Sequence, residues 1–285
     1  MSGARASEPH LVLIDVDGTL MTYANELPAS AARAVRRARR AGHRVYPTTG
    51  RSRAEMPAEL LEVGFDGMIG GNGAYVESDG EVLLHESLSR QDCRAVVGWL
   101  ADRGLEFYLE TNAGLFASPG FRQAALPAIR AYIAGKGRAD AESVTVEEVL
   151  PDLIDGADPV RDDVNKISYL LSGPEDLEAA RRAFPALEHG SWGGRGHAPL
   201  FGDMRLAGVS KVRALEVLRE RLGVPLARTV AVGDALVDLG MIEHCGVGVA
   251  MGNAHPSLKS AADLVTDDVE HDGLAAALER LALLD

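Results

Sequence analysis

Asp15 and Asp17 stand two residues apart in Asp15-Val16-Asp17-Gly18-Thr19, and carboxylates at that spacing have a definite chemistry open to them. Side chains two apart on an extended segment point the same way, and Gly18 lets the chain turn so that both can face one pocket. One aspartate can attack phosphorus to form an aspartyl-phosphate, while a neighbouring acid protonates the leaving oxygen and then activates water. Taken alone, the pair fits a turn or a generic metal site equally well. Gly233-Asp234-Ala235-Leu236-Val237-Asp238 supplies two further carboxylates, whose commonest use in a loop is to cap turns. Phosphate esters repel carboxylates, so four acids share a site with an anionic substrate only if a divalent cation mediates. Oxygen donors with no His or Cys nearby in sequence favour Mg2+.

Two more segments carry groups that hold phosphate. Thr48-Thr49-Gly50-Arg51 offers hydroxyls, a glycine turn and a cation. Lys211 follows Ser210, which reads as a helix N-cap. A cation at that end opposes the helix dipole at a cost of about 0.3–1 kcal/mol, which an anion between them would relieve. The bland alternative is a lysine turned to solvent.

These residues need elements that bring them together. Leu11–Ile14 is a short apolar run on the pattern of a strand buried on both faces, and Asp15 follows it directly. Pro28 opens a helix that Gly42 closes. Strands are expected at Arg44–Thr49, Phe65–Ile69, Thr229–Val232, Gly246–Met251 and Leu264–Thr266, with a helix between Ser210 and Gly223. Pro47 lacks the N–H that a central strand uses, which predicts a bulge or an early end there. Alternating strands and helices in both terminal regions argue for an α/β fold with a parallel sheet, where ligands bind beyond the carboxyl ends of the strands. The acidic pairs fall at those ends. After a hairpin at Tyr75–Leu84, turning at Asp79-Gly80, the pattern changes, so residues 86–196 read as an inserted domain between core segments 1–85 and 197–285. The glycine-rich Gly190–Gly196 is the candidate return linker or mobile substrate loop.

Composition narrows the function classes. The 285 residues suffice for one large or two ordinary domains, and 46% hydrophobic with 25% charged residues is ordinary for a globular chain. A formal net charge of −13 repels nucleic acid and anionic lipid, so a bound anion must be held by local cations, backbone N–H groups or a metal. Cys93 and Cys245 form no zinc motif and read as small packed thiols. The polar start MSGARASEPH and the absence of a long apolar run lead us to expect a cytoplasmic protein.

The whole constellation resembles the haloacid dehalogenase (HAD) superfamily of aspartate-nucleophile phosphatases, and within it the Cof-type branch. The matching motifs are Asp15-Val16-Asp17-Gly18-Thr19-Leu20, Thr49-Gly50-Arg51, Gly208-Val209-Ser210-Lys211 and Gly233-Asp234 with Asp238 and Met241. Ala250-Met251-Gly252-Asn253-Ala254, Ala262-Asp263 and Asp272-Gly273 continue the match. The resemblance covers about Leu11–Leu84 and Gly202–Leu278 well, and the middle only in architecture. It implies a three-layer Rossmann-like core with a parallel sheet, plus an inserted α/β cap for substrate selection. Asp15 is then the nucleophile and a Mg2+ ligand, and Asp17 the general acid/base with its carbonyl on Mg2+. Thr49, Gly50, Arg51 and Lys211 hold the phosphoryl group, Asp234 binds Mg2+, and Asp238 completes the acidic cluster directly or through water. Thr48 is the poorer hydroxyl, because the motif places its threonine beside the glycine. The substrate class implied is a small phosphorylated metabolite such as a sugar or polyol phosphate, with no nucleic acid or membrane partner.

Two rival functions share these motifs. A phosphomutase would return the phosphoryl group to its substrate, and a catalytically weak binding or regulatory protein would hold a ligand without turnover. The second is suggested by Val237, which stands where the branch usually carries Asn and can neither donate nor accept a hydrogen bond. That departure predicts slower turnover or weaker Mg2+ binding. Val212, where glycine is common, removes no catalytic group. Four residues are secondary candidates for substrate contact: Asn72 in a turn-forming Asn-Gly, and Trp192, Arg195 and His197 near the glycine-rich stretch.

Overall fold

A computed structural model describes residues 8–135, 139–193 and 199–285. The chain forms two compact units, one comprising residues 1–50, 57–84 and 210–285 and the other residues 51–56 and 85–209.

The first unit is built on a five-stranded sheet in the order Leu264–Val265, Val247–Ala250, Thr229–Gly233, Leu11–Ile14, Arg44–Pro47. Every neighbouring pair in it is parallel. All four residues of Leu11–Ile14 are fully buried. Because successive side chains point to opposite faces, both faces of the sheet must be covered. Helices Ala29–Arg40, Lys211–Leu222, Leu239–His244, Pro256–Ala261 and Gly273–Arg280 supply that cover. Arg44–Pro47 is an edge strand; Thr48 N still donates to the Ile14 carbonyl at 2.8 Å, so the missing proline N–H falls between the bonds of this ladder, and Thr48 also bridges to Ile69. A three-stranded antiparallel sheet, Gly67–Gly70, Tyr75–Ser78 and Glu81–His85, completes the unit. Its hairpin turns at Asp79 and Gly80, whose φ of 51° and 79° are those of a type I′ turn.

The helix that presents Lys211 has the ends its sequence predicts. The Ser210 hydroxyl accepts from Arg213 N at 3.2 Å, and Gly223 closes the helix in the left-handed region at φ 66°.

The second unit is a six-stranded sheet in the order Leu187–Trp192, Phe201–Leu206, Val164–Leu170, Phe107–Thr111, Leu115–Ala117, Leu153–Ile154. Alternation along its strands feeds two cores. Phe107, Leu109, Ile167 and Met204 pack with Cys93, Val96 and Leu100 of helix Arg90–Asp102, while Tyr108 and Phe201 pack with Phe121, Ala125 and Ile129 of helix Phe121–Gly135.

Two boundaries differ from the sequence expectation. Residues 201–206, assigned to the core segment 197–285, form a strand paired on both sides inside the second unit, and the chain re-enters the first unit only at Ser210. Residues 51–56 also group with the second unit. Of the stretch Gly190–Gly196, residues 190–192 belong to strand Leu187–Trp192 and residues 194–196 lie outside the described residues; Gly190 pairs with Asp203, and a Cβ there would come 2.3 Å from Asp203 Oδ2, so this glycine admits a carboxylate.

Candidate active site

The carboxyl ends of three adjacent parallel strands deliver the acidic and hydroxyl groups to one edge of the first unit. Asp15 follows Ile14, Thr48 follows Pro47 and Asp234 follows Gly233. Asp15, Asp234 and Asp238 are all buried, with one oxygen of each lying within 4.8 Å of the others.

Lys211 enters this cluster from the first turn of its helix and is itself 4% exposed. Its Nζ donates to Asp15 Oδ1 at 2.6 Å, to Asp238 Oδ1 at 2.6 Å and to the Thr48 carbonyl at 2.8 Å, using all three of its protons. The solvent-facing lysine is thereby excluded. Burial pulls the ammonium toward its neutral form, but Asp15 and Asp238 outweigh it and the net shift is upward. Burial, then Asp238, pushes the Asp15 carboxyl well above the usual range in spite of Lys211. Asp234 is raised to about 6, chiefly by burial, with the Tyr23 hydroxyl pulling the other way.

Asp238 has a second task. Its Oδ2 accepts from Asp234 N at 3.2 Å and Ala235 N at 3.0 Å, so it ties the loop as well as facing Lys211. Asp238 therefore caps the turn with one oxygen and meets the buried ammonium with the other. Val237 beside it is 53% exposed, whereas Asp234 and Asp238 on either side are buried.

Around the cluster the placements are mixed. Asp17 is half-buried and bridges to Met21 across the turn that Gly18 makes at φ 91°. Thr49 is buried, and its N donates to the Ile69 carbonyl at 2.9 Å. The Thr48 hydroxyl points back toward the Tyr46 carbonyl, so at this residue it is the carbonyl that serves the site. Asn72 N donates to the Thr49 carbonyl at 2.9 Å, and its Oδ1 would lie 3.1 Å from a Cβ on Gly50, so the Asn-Gly turn does stand beside the threonine motif.

Arg51 groups with the second unit, where its Nη1 donates to the Glu55 carbonyl at 3.3 Å. Trp192 is also there, stacked on Phe201 with centroids 4.0 Å apart, edge-on to Tyr132, and donating Nε1 to Ser168 Oγ at 3.4 Å. These contacts make it a packing residue of that unit. Arg195 and His197 lie outside the described residues.

Three supporting residues escaped the sequence reading as site groups. Thr19 Oγ1 donates to Asp234 Oδ1 at 3.1 Å, and the Tyr23 hydroxyl donates to Asp234 Oδ2. Asn253 donates Nδ2 to the Gly18 carbonyl at 2.8 Å and accepts from Val269 N at 3.0 Å, pinning the Asp15 loop to the C-terminal region. Thr19 and Asn253 stand within quoted motifs, which is a signal that was available. Tyr23 stands in none.

One ammonium among three buried carboxylates leaves an excess of negative charge that burial makes costly. A divalent cation taking oxygen ligands fits that donor set.

The haloacid dehalogenase-like hydrolase family profile matches residues 12–278. The chain belongs to this family. It is 30% identical to YkrA of Bacillus subtilis (strain 168), a candidate phosphatase by name, over 96% of this chain and 98% of the relative. It is 26% identical to 5-amino-6-(5-phospho-D-ribitylamino)uracil phosphatase YwtE of the same strain, over 95% of this chain and 97% of that one. The crystal structure of a hypothetical protein from Geobacillus kaustophilus HTA426 superposes with a TM-score of 0.81 at 28% identity, covering 97% of this chain and 100% of that chain. This member of the HAD family is a phosphatase, with the parallel-sheet core and additional sheet of the fold. Among its described residues no helix is long and apolar enough to cross a membrane.

Proposed function

We propose that this HAD phosphatase hydrolyses small sugar or polyol phosphates in the cytoplasm through an aspartyl-phosphate on Asp15, with Mg2+ as its cation. The observation that carries the reading is the buried Lys211 ammonium, 2.6 Å from both Asp15 and Asp238 at the carboxyl edge of a parallel sheet. Lys211 and the Thr49 hydroxyl hold the phosphoryl oxygens, Lys211 turning from Asp15 toward the incoming anion. An Asp15 carboxylate oxygen forms a bond to phosphorus as the bond to the leaving oxygen breaks, and Asp17 gives its proton to that oxygen. Asp17 then takes a proton from water as the water oxygen attacks phosphorus, releasing inorganic phosphate and restoring Asp15.

Asp15, Asp234 and the Asp17 carbonyl would hold Mg2+, with Asp238 completing the cluster. When bound, Mg2+ offsets charge on the phosphoryl oxygens and on the acids themselves. The second unit, residues 51–56 and 85–209, acts as the substrate-selecting cap in this reading. The polyol class is supported by one relative, YwtE, whose named substrate is phosphorylated on a ribityl chain.

The test is phosphate release from a panel of phosphorylated metabolites and aryl phosphates, with Mg2+, with EDTA and with Asp15→Asn. We expect Mg2+-dependent release, cut by at least about 10⁴-fold in Asp15→Asn. Folded protein that releases nothing from the whole panel would overturn the reading, and a rearranged phosphorylated product would replace it with a mutase.

A further inference from the structure

We propose that Tyr23 is a positioning residue for Asp234, holding that carboxylate in the orientation from which it binds the divalent cation; this rests on the metal reading above. Asp234 is 2% exposed and is gripped at both oxygens, Thr19 Oγ1 donating to Oδ1 at 3.1 Å and the Tyr23 hydroxyl donating to Oδ2. Its carbonyl also accepts from His255 N at 2.9 Å, so the backbone is fixed as well.

A carboxylate oxygen has two in-plane lone pairs. A hydroxyl on one of them stops rotation about the Cβ–Cγ bond and leaves the other for a cation. Two hydroxyls, one on each oxygen, hold the carboxylate plane against rotation in either direction; without Tyr23 that restraint rests on the single Thr19 bond.

The surroundings of Tyr23 are built for this contact. Thr22 is buried, its N donates to the Glu26 carbonyl at 2.9 Å, and its Oγ1 accepts from Ala24 N and Glu26 N, both at 3.2 Å. Residues 22–26 therefore form a closed turn that fixes where Tyr23 leaves the backbone. The phenol tip lies over Gly18, where a Cβ would come 2.6 Å from Tyr23 Cζ and 2.5 Å from Asp234 Oδ2. Gly18 thus does more than turn the chain: its missing side chain makes room for the contact between the two residues.

Tyr23→Phe removes only the hydroxyl. Mg2+ binding to the purified full-length chain is measured by isothermal titration calorimetry without substrate, beside the circular dichroism and melting temperature of the metal-free protein. We expect Mg2+ affinity to fall about 10–100-fold with the metal-free melting temperature kept, and KM at saturating Mg2+ to stay near wild type. Tyr75→Phe, which removes a hydroxyl-to-carboxylate bond to Glu77 in the same unit, is expected to keep wild-type affinity. Equal or tighter Mg2+ binding in Tyr23→Phe overturns the positioning role, as does an equal loss in Tyr75→Phe. A wild-type protein that binds no Mg2+ overturns the metal reading itself, so the two failures are distinguishable.

Discussion

Lys211 in the first unit and Lys166 in the second invite comparison, since each is largely enclosed and each touches a buried carboxylate from a neighbouring element. Lys166 Nζ lies 2.9 Å from Glu110 Oε2, whose other oxygen accepts from Ser168 Oγ at 2.6 Å, and nearby Arg205 pairs with Asp203 at 2.7 Å. Burial, then Glu55, raises Glu110 to about 8. Burial likewise raises Asp15. Burial and a raised acid therefore do not distinguish the Asp15 cluster from the Glu110 cluster. The balance of fully buried acids does: in the second unit Lys166 and Arg205 answer the buried Glu110 and Asp203, with Glu55 half-buried and Glu188 exposed beside them, whereas among the described residues Lys211 alone answers the buried Asp15, Asp234 and Asp238. The imbalanced site is the one with a use for a further cation.

The sharpest way to break this comparison is to delete each ammonium in metal-free protein. Lys211→Met is expected to cost about 3–5 kcal/mol in denaturant unfolding, because it leaves uncompensated buried charge. Lys166→Met should cost about 1–3 kcal/mol, since Glu110 can take up a proton and keep Ser168. Equal costs would show that charge balance is not the difference.

A smaller effect is expected from the cation. At a hundredfold excess over Kd, Mg2+ should stabilise wild type and Glu110→Gln alike by about 2.7 kcal/mol, and Asp234→Asn by much less. Calorimetric melts with Mg2+ and with EDTA measure this, and loss of the effect in Glu110→Gln would place the cation in the wrong unit.

The smallest effect tests exposure. Glu216, on the same helix as Lys211 and 31% exposed, is lowered to about 2 by the Arg219 guanidinium. Because its folded pKa is depressed, the stability it contributes is present above about 4.5 and is lost as pH falls toward 2. Solvent screening holds that contribution below about 1 kcal/mol, so Glu216→Gln should cost little at pH 7 and nothing near pH 2. A large cost at pH 7 would mean that exposed pairs here rival the buried ones.

Legibility followed the range of the interaction. Strand ends, the Ser210 cap and the Asp79-Gly80 turn rest on local backbone rules and could be read from a few residues. The acids and Lys211 were legible because a carboxylate or ammonium after a strand or N-cap has few uses. Gly190, the first residue of the expected linker stretch, sits in a strand instead, because a glycine that admits a cross-strand carboxylate looks in sequence like one that loosens a loop. Trp192 is a substrate-contact candidate by sequence, and only the tertiary structure sets it against Phe201 and Tyr132.

By itself the sequence determined the parallel α/β core and which acids, hydroxyls and lysine stand at strand ends and at a helix start. Those are consequences of hydrophobic period, capping and side-chain chemistry, all carried within short stretches of chain. Only the tertiary structure decided that Lys211 spends its three protons on Asp15, Asp238 and the Thr48 carbonyl, that Tyr23 and Thr19 clamp Asp234, and that residues 201–206 belong to the second unit. Each depends on partners far apart in sequence, and no local pattern encodes which distant oxygen a buried donor will meet.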